Sequence, residues 1–205
     1  MNHDRYKQIT ILKGEEIVPY IDAVSAFRIR YFREFPYLYA GSLSYEKEYM
    51  KGYSQEPQAL LIVLEREDGK LQGFSTGMPL TADSDVVKEA CQYFRKAGYD
   101  TDNVYYFGET ILVPEQRGKG NYTKIVQERE RAVKEMGYTR ACFMAVKREE
   151  NHPQRPADYR EPGPIFSHMG YQPTDVEVSF NYPTVLPNGA SADRDHLMVY
   201  WVKSL

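Results

Sequence analysis

Apolar and polar positions follow two rhythms along this chain, and the switches between them mark out its elements. Residues 8–13 alternate weakly and read as a short first strand. Over 15–33, Ile17, Ile21, Val24, Phe27, Ile29 and Phe32 recur close to helical period, and Pro36 ends that helix. An aromatic connection at 35–41 leads to a second helix at about 44–52, with Ser44 as its candidate cap. Apolar runs at 59–66 and 70–79 flank Glu67-Asp68-Gly69, and an Asp-Gly pair supplies the positive φ of a tight hairpin turn. Residues 83–97 carry Val86, Val87, Ala90, Tyr93 and Phe94 on one side, and Gly98 stops that helix.

A buried strand follows at 104–113, then a turn closed by Pro114, then a glycine-spaced loop that becomes a helix. On that helix Tyr122, Ile125, Val126, Val133 and Met136 form an apolar stripe, while Lys124, Glu128, Arg131 and Lys134 face away. Residues 138–147 predict another strand, 148–163 an irregular charged segment, and 165–169 a short helix closed by Gly170. Strands at 176–182 and 196–203 close the chain. The order is mixed α/β, with antiparallel hairpins at both ends and one βαβ unit between them.

Composition narrows the class. At 205 residues the chain is long enough to form one domain, 1–205, around a single core without staples. A net charge of -3 lacks the basic footprint of nucleic-acid binding, so no nucleic-acid partner is expected. Cys91 and Cys142 cannot build a disulfide framework, and Cys142 lies in an apolar stretch, as a buried thiol would. No histidine pair has ligand spacing, so no metal is expected. The polar first residues lack a signal peptide's apolar core, and the longest apolar run, 59–64, is too short to span a bilayer. A cytoplasmic protein without a membrane partner is the expectation.

The chemistry gathers at 104–123. A glycine-spaced loop opening a helix presents unpaired N–H groups and the positive end of a helix dipole, which together suit a phosphate. The spacing does not fit GxxxxGK[ST], because Lys119 is not followed by Ser or Thr. Nor does it fit GxGxxG, because Thr123 stands where the third glycine belongs. Glu109 sits inside the preceding strand, where an ionised carboxylate needs a purpose or a partner. Both readings stand at this point: a general base whose pKa burial raises, and a structural carboxylate bonded to Arg or Tyr neighbours. Gly108 beside it suits a bulge.

Leu112-Val-Pro-Glu-Gln-Arg-Gly-Lys-Gly120, followed by the amphipathic helix, resembles the GNAT acyltransferase superfamily, bacterial members in particular. Ile165-Phe-Ser-His-Met-Gly-Tyr171 is similar to the late helix and Gly-aromatic pair of that family, and the element order agrees from about 8 to 203. The resemblance implies a mostly antiparallel central sheet, flanked by helices, whose middle strands splay at 104–113 and 139–147. It implies acetyl-CoA as co-substrate. Its pyrophosphate would lie on the N–H groups of Arg117, Gly118, Lys119, Gly120, Asn121 and Tyr122, with Arg117 and Lys119 adding charge. Its pantetheine arm would lie along the main chain of Thr110, Ile111 and Leu112, and Asn151 matches an asparagine the family uses near the cofactor. The activity implied is transfer of an acyl group, acetyl in the first instance, to a primary amine of a small molecule or peptide. Glu109 is the candidate base, directly or through a water.

Two departures bear on this. Tyr122 stands where the family usually has Gly or Ala, and Phe166 stands where it usually has the tyrosine that protonates the departing thiolate. Tyr159 is the candidate substitute acid. Residues 152–160 with Arg28, Arg30, Arg33, Tyr37 and Tyr39 are expected to form the acceptor pocket, and the arginines suggest a carboxylate-bearing amine. The rival reading is a noncatalytic acyl-CoA-binding module; a peptide- or RNA-binding domain is more remote. A homodimer is compatible with all of these.

Overall fold

The computed structural model describes residues 9–205, so Gln8, the start of the first expected strand, lies outside the described residues. The strands are β1 (Thr10–Lys13), β2 (Leu60–Glu65), β3 (Leu71–Pro79), β4 (Val104–Leu112), β5 (Arg140–Val146), β6 (Gln172–Val185) and β7 (Ser191–Ser204). The α-helices are α1 (Ile21–Phe32), α2 (Leu43–Gln55), α3 (Lys88–Lys96), α4 (Asn121–Glu135) and α5 (Gly163–His168). The strands form one sheet in the order β1-β2-β3-β4-β5-β7-β6. Only β4 and β5 run parallel; every other neighbouring pair is antiparallel. This is the mixed, mostly antiparallel α/β sheet with flanking helices that the resemblance implied.

Four boundaries differ from expectation, each for a local reason. Residues Gly14–Tyr20 form a 3-10 turn, and α1 starts only at Ile21, because Pro19 has no N–H to give to a helix. The cap of α2 is Ser42, whose Oγ accepts the Tyr45 N–H at 3.3 Å, and Ser44 lies inside the helix. The α3 helix begins at Lys88, not 83, since Ser84 draws the preceding backbone into turns through the Val86, Val87 and Lys88 N–H groups. β6 and β7 are longer than expected. Pro173 and Pro183 argue against a central strand, but β6 is at the sheet edge, where a missing N–H costs nothing.

Alternation along β4 sends Tyr106 to one face of the sheet and Tyr105 and Phe107 to the other. On the Tyr106 face, Val24 of α1, Met50 of α2 and Phe94 of α3 are fully buried with Phe74 and Met78. On the opposite face, Val133 of α4 packs with Tyr105, Phe107 and Phe143, joined by Phe166 of α5. Each such side chain contributes about 1.5–3 kcal/mol on burial. The two apolar layers hold the sheet.

Two irregularities of β4 create the site. First, β4 and β5 pair only at Val104↔Arg140, Tyr105↔Ala141 and Tyr106↔Cys142, and beyond that they splay. Second, the register with β3 passes from Gly77↔Phe107 to Ser75↔Thr110, so Thr76 alone stands opposite Gly108 and Glu109. This is a bulge, and it carries one extra residue on β4. A Cβ on Gly108 would run into the Tyr53 hydroxyl and Thr76 Oγ1, so only glycine fits there. The bulge also turns Glu109 toward α1 and α2, whereas unbroken alternation would have aimed it at α4.

The β6–β7 hairpin extends past the end of β5 and takes on residues 38–40 at its edge. Ala40 N–H donates to the Pro183 carbonyl at 2.8 Å and Val185 N–H to the Leu38 carbonyl at 2.7 Å. Arg148 ties the same loop down, its Nε donating to the Pro36 carbonyl at 2.6 Å and its Nη2 to the Tyr37 carbonyl at 3.0 Å. Phe35–Pro36 is a cis peptide bond.

Candidate active site

A cleft of about 680 Å³ occupies the gap where β4 and β5 part. β4 supplies Gly108, Glu109, Thr110, Ile111 and Leu112; β5 supplies Phe143 through Val146. The end of α1 and its following loop contribute Tyr31, Phe35 and Tyr37, and the segment before α5 contributes Tyr159 and Arg160. The loop into α4 brings Arg117, Gly118, Gly120 and Tyr122.

Glu109 is not solitary. Arg28, buried in α1, pairs through Nη1 with Glu109 Oε2 and through Nε with Glu46 Oε2. Its guanidinium lies over the Tyr49 ring at 4.1 Å and the Phe32 ring at 4.9 Å. The carboxylates fix this arginine from two sides, and Glu109 Oε1 remains buried with no hydrogen-bond partner among the described residues. An acceptor oxygen held out of water and unpaired costs roughly 1–3 kcal/mol, more when charged. Glu109 is among the residues that line the cleft. Glu46 had a readable signal, since it lies four residues before Met50 and seven before Tyr53 on the buried side of α2.

The glycine loop has the backbone its spacing implied. Gly118 has φ 70 and Gly120 has φ 78, and space is open where either Cβ would be, so conformation alone demands glycine. Gly120 caps α4. Two details differ from expectation. The Arg117 N–H donates to the Pro114 carbonyl at 3.1 Å, so the cradle begins at Gly118. The Arg117 side chain turns back, Nε donating to the Leu112 carbonyl at 3.0 Å and Nη2 meeting Glu34 at 3.1 Å. Asn121 braces the loop through Gln116 Oε1 at 2.8 Å; it and Lys119 do not line the cleft. Tyr122 does line it, and burial raises its phenol pKa.

Thr110 is held from beneath. Arg129 donates from Nη1 to Thr110 Oγ1 at 2.8 Å and to Ser75 Oγ at 3.3 Å, and lies 4.0 Å over the Phe107 ring. It lines the cleft, and its Nε has no partner among the described residues. Sequence reasoning missed it. The signal was its position, four residues after Ile125 and three after Val126, inside the apolar stripe.

Tyr159 faces the cleft, edge-on to Phe35 at 4.6 Å, with its pKa pushed up to about 12 chiefly by burial. Tyr37 lies nearby: burial first, then the adjacent Tyr182, Glu109, Tyr122 and Tyr159, raise its pKa. Phe166 packs between Phe143 and Trp201 at the cleft wall. Asn151 is exposed in a turn and does not line the cleft. Arg30 and Arg33 are exposed and do not line it either, so the expected ring of arginines does not assemble. Both cysteines are buried and free, and burial pushes the Cys142 thiol up. Among the described residues, no group of three or more His, Cys, Asp or Glu is placed to hold a metal ion, and no helix is long and apolar enough to cross a membrane.

No protein-family model matches the sequence, and no curated protein matches it significantly. Solved structures do. The ribosomal-protein-alanine N-acetyltransferase of Brucella melitensis aligns over 96% of this chain and 99% of its own, with TM-score 0.58 and 12% identity. An N-acetyltransferase of Staphylococcus aureus Mu50 aligns over 97% and 99%, with TM-score 0.55 and 14% identity. A GCN5-related N-acetyltransferase of Kribbella flavida aligns over 96% and 98%, with TM-score 0.53 and 14% identity. At such identities the likeness concerns the fold. The chain has the fold of the GNAT-type N-acetyltransferases.

Proposed function

We propose that the protein is an N-acyltransferase that moves an acetyl group from acetyl-CoA to a primary amine of a small molecule or peptide. The observation that carries this reading is Glu109, buried in the wall of the β4–β5 cleft with Oε1 unpartnered. The cleft fits the co-substrate in kind: a splayed strand edge for an amide-bearing arm, and a positive-φ loop opening a helix for a pyrophosphate. Thr110, Ile111 and Leu112 would receive the arm, and the N–H groups from Gly118 to Tyr122 the phosphates.

Acetyl-CoA supplies an activated acyl group; the chain's residues handle the acceptor and the protons. Glu109 Oε1 accepts the proton of the attacking amine, while Arg28 and Glu46 hold the carboxylate in place. Tyr159, with its pKa near 12, keeps its proton at neutral pH and is available as a donor. Phe166 favours one other reading, a module that binds acyl-CoA without turning it over.

Acetyl-CoA at about 100 times its Kd should stabilise the protein by about 2.7 kcal/mol in a thermal-shift measurement. No shift with any CoA ester rejects both readings. Thiol release across a panel of amines then separates them. Glu109→Gln is expected to lower turnover about 10²–10⁴-fold while leaving the acetyl-CoA shift in place. Turnover on no amine leaves the binding module.

A further inference from the structure

A second cavity, of about 300 Å³, opens on the same face of the sheet as Glu109. Its walls are Tyr106 of β4, Met144 of β5, Phe180 of β6 and Tyr200 of β7. Its mouth carries Asp85, Lys88 and Glu89, from the turn before α3 and its first residues. Met144 borders both cavities.

The cavity combines buried phenols with charged groups at its mouth. Tyr106 and Tyr200 are 4% and 1% exposed, yet neither hydroxyl makes a hydrogen bond among the described residues, and both side chains face the cavity. Neither hydroxyl is among the fully buried unpartnered atoms, so both open onto the cavity and can pair with what it holds. Glu89 and Asp85 form no salt bridge among the described residues. Burial raises the Tyr106 pKa most, and Tyr49, Tyr200, Cys142 and Glu109 add to it. Tyr200 in turn responds to Glu89 after burial and Cys142.

Aromatic faces beneath carboxylates are the chemistry that receives an ammonium or guanidinium group. The charge balance points the same way. Two carboxylates accompany Lys88 at the mouth, and two, Glu46 and Glu109, oppose the buried Arg28 behind the cleft wall. We propose that this cavity is the distal half of the acceptor site and binds the second cationic group of an amine whose reacting nitrogen lies at Glu109. The proposal rests on the acyltransferase reading for the near end only. It replaces the carboxylate-bearing acceptor that the arginines of α1 had suggested.

Calorimetry tests it without turnover. Cadaverine, spermidine and agmatine are compared with pentylamine, each titrated into the full chain in the presence of CoA. The three probes that carry a second cation should bind at least about fivefold more tightly. The double substitution Asp85→Asn with Glu89→Gln should remove that preference and leave pentylamine and the acetyl-CoA thermal shift unchanged. Lys88→Gln should act in the opposite direction and tighten the same three probes. Equal binding of all four amines overturns the proposal, as does a double variant that weakens pentylamine equally or changes only the melting temperature. In that last case the carboxylates serve only as counter-charge to the α3 dipole. A preference for the second cation without thiol release keeps the cation site and rejects the catalytic reading, so the two failures are distinguishable.

Discussion

Glu109 owes its orientation to its neighbour. Gly108 is the extra residue of the β4 bulge, and the space its Cβ would need belongs to Tyr53 and Thr76. Gly108→Ala should therefore cost about 1–3 kcal/mol by overpacking. It should also lower turnover more than acetyl-CoA binding, because it re-aims the carboxylate and leaves the glycine loop untouched. Melting curves with and without acetyl-CoA, read beside thiol release, check both parts. Arg28 makes a sharper case. Arg28→Met leaves Glu46 and Glu109 buried without a cation, and breaking a buried pair in this way costs about 3–5 kcal/mol. Denaturant unfolding measures that loss; a change under 1 kcal/mol, roughly the worth of a surface pair, would reject the buried-network account.

At the scale of the element, the loop into α4 separates conformation from space. Gly118 and Gly120 have left-handed backbones and open surroundings, so a side chain there meets strain and no clash. A non-glycine residue at such φ costs about 1–2 kcal/mol, with Asn the best tolerated. Gly120→Asn should keep most of the acetyl-CoA thermal shift, whereas Gly120→Val should lose it. Equal loss with both would mean that space, not φ, sets the requirement. Legibility also varied by element. The amphipathic stripe of α4 and the Asp-Gly hairpin were readable because their periodicity and turn chemistry are local. Pro19 and Ser84 shortened two expected helices, and Ser42 took the cap from Ser44, through local hydrogen bonds made or withheld that a periodicity does not register.

Across the whole molecule, the hairpin of β6 and β7 holds the loop at 35–40 against the cleft through a chain of polar contacts. Arg148 can only donate, so its contact with His196 Nδ1 at 2.6 Å leaves the ring proton on Nε2, which donates to Thr184 Oγ1 at 2.7 Å. Thr184 passes its proton to the Tyr182 carbonyl at 3.0 Å. Burial first, then Arg148, lowers the His196 pKa to about 4; His152 adds to this and Asp195 opposes it. Because the folded pKa lies below the unfolded value of 6.5, the unfolded state binds the extra proton between these values. The contribution of neutral His196 is complete above pH 6.5 and is lost as pH falls toward 4. Melting temperature should drop across that window, and His196→Gln should flatten the drop. An unchanged slope would place the acid sensitivity elsewhere.

Local patterning determined the elements, the strand–loop–helix cradle and the suspicion attached to Glu109, since periodicity, turn residues and glycine spacing act over a few neighbouring positions. It also carried the bulge at Gly108 as a suggestion. Only the tertiary structure decided what surrounds these features. The fate of Arg28, Arg30 and Arg33 depended on which side of α1 met the sheet, and α2 supplied the Glu46 that claims Arg28. Arg117 is shared between the nearby Leu112 carbonyl and a half-exposed Glu34, 83 positions away in sequence. The cavity under Tyr106 and Tyr200 likewise joins four strands and the start of α3. Such contacts are set by packing between segments distant in sequence, and burial and charge pairing are properties of that packing.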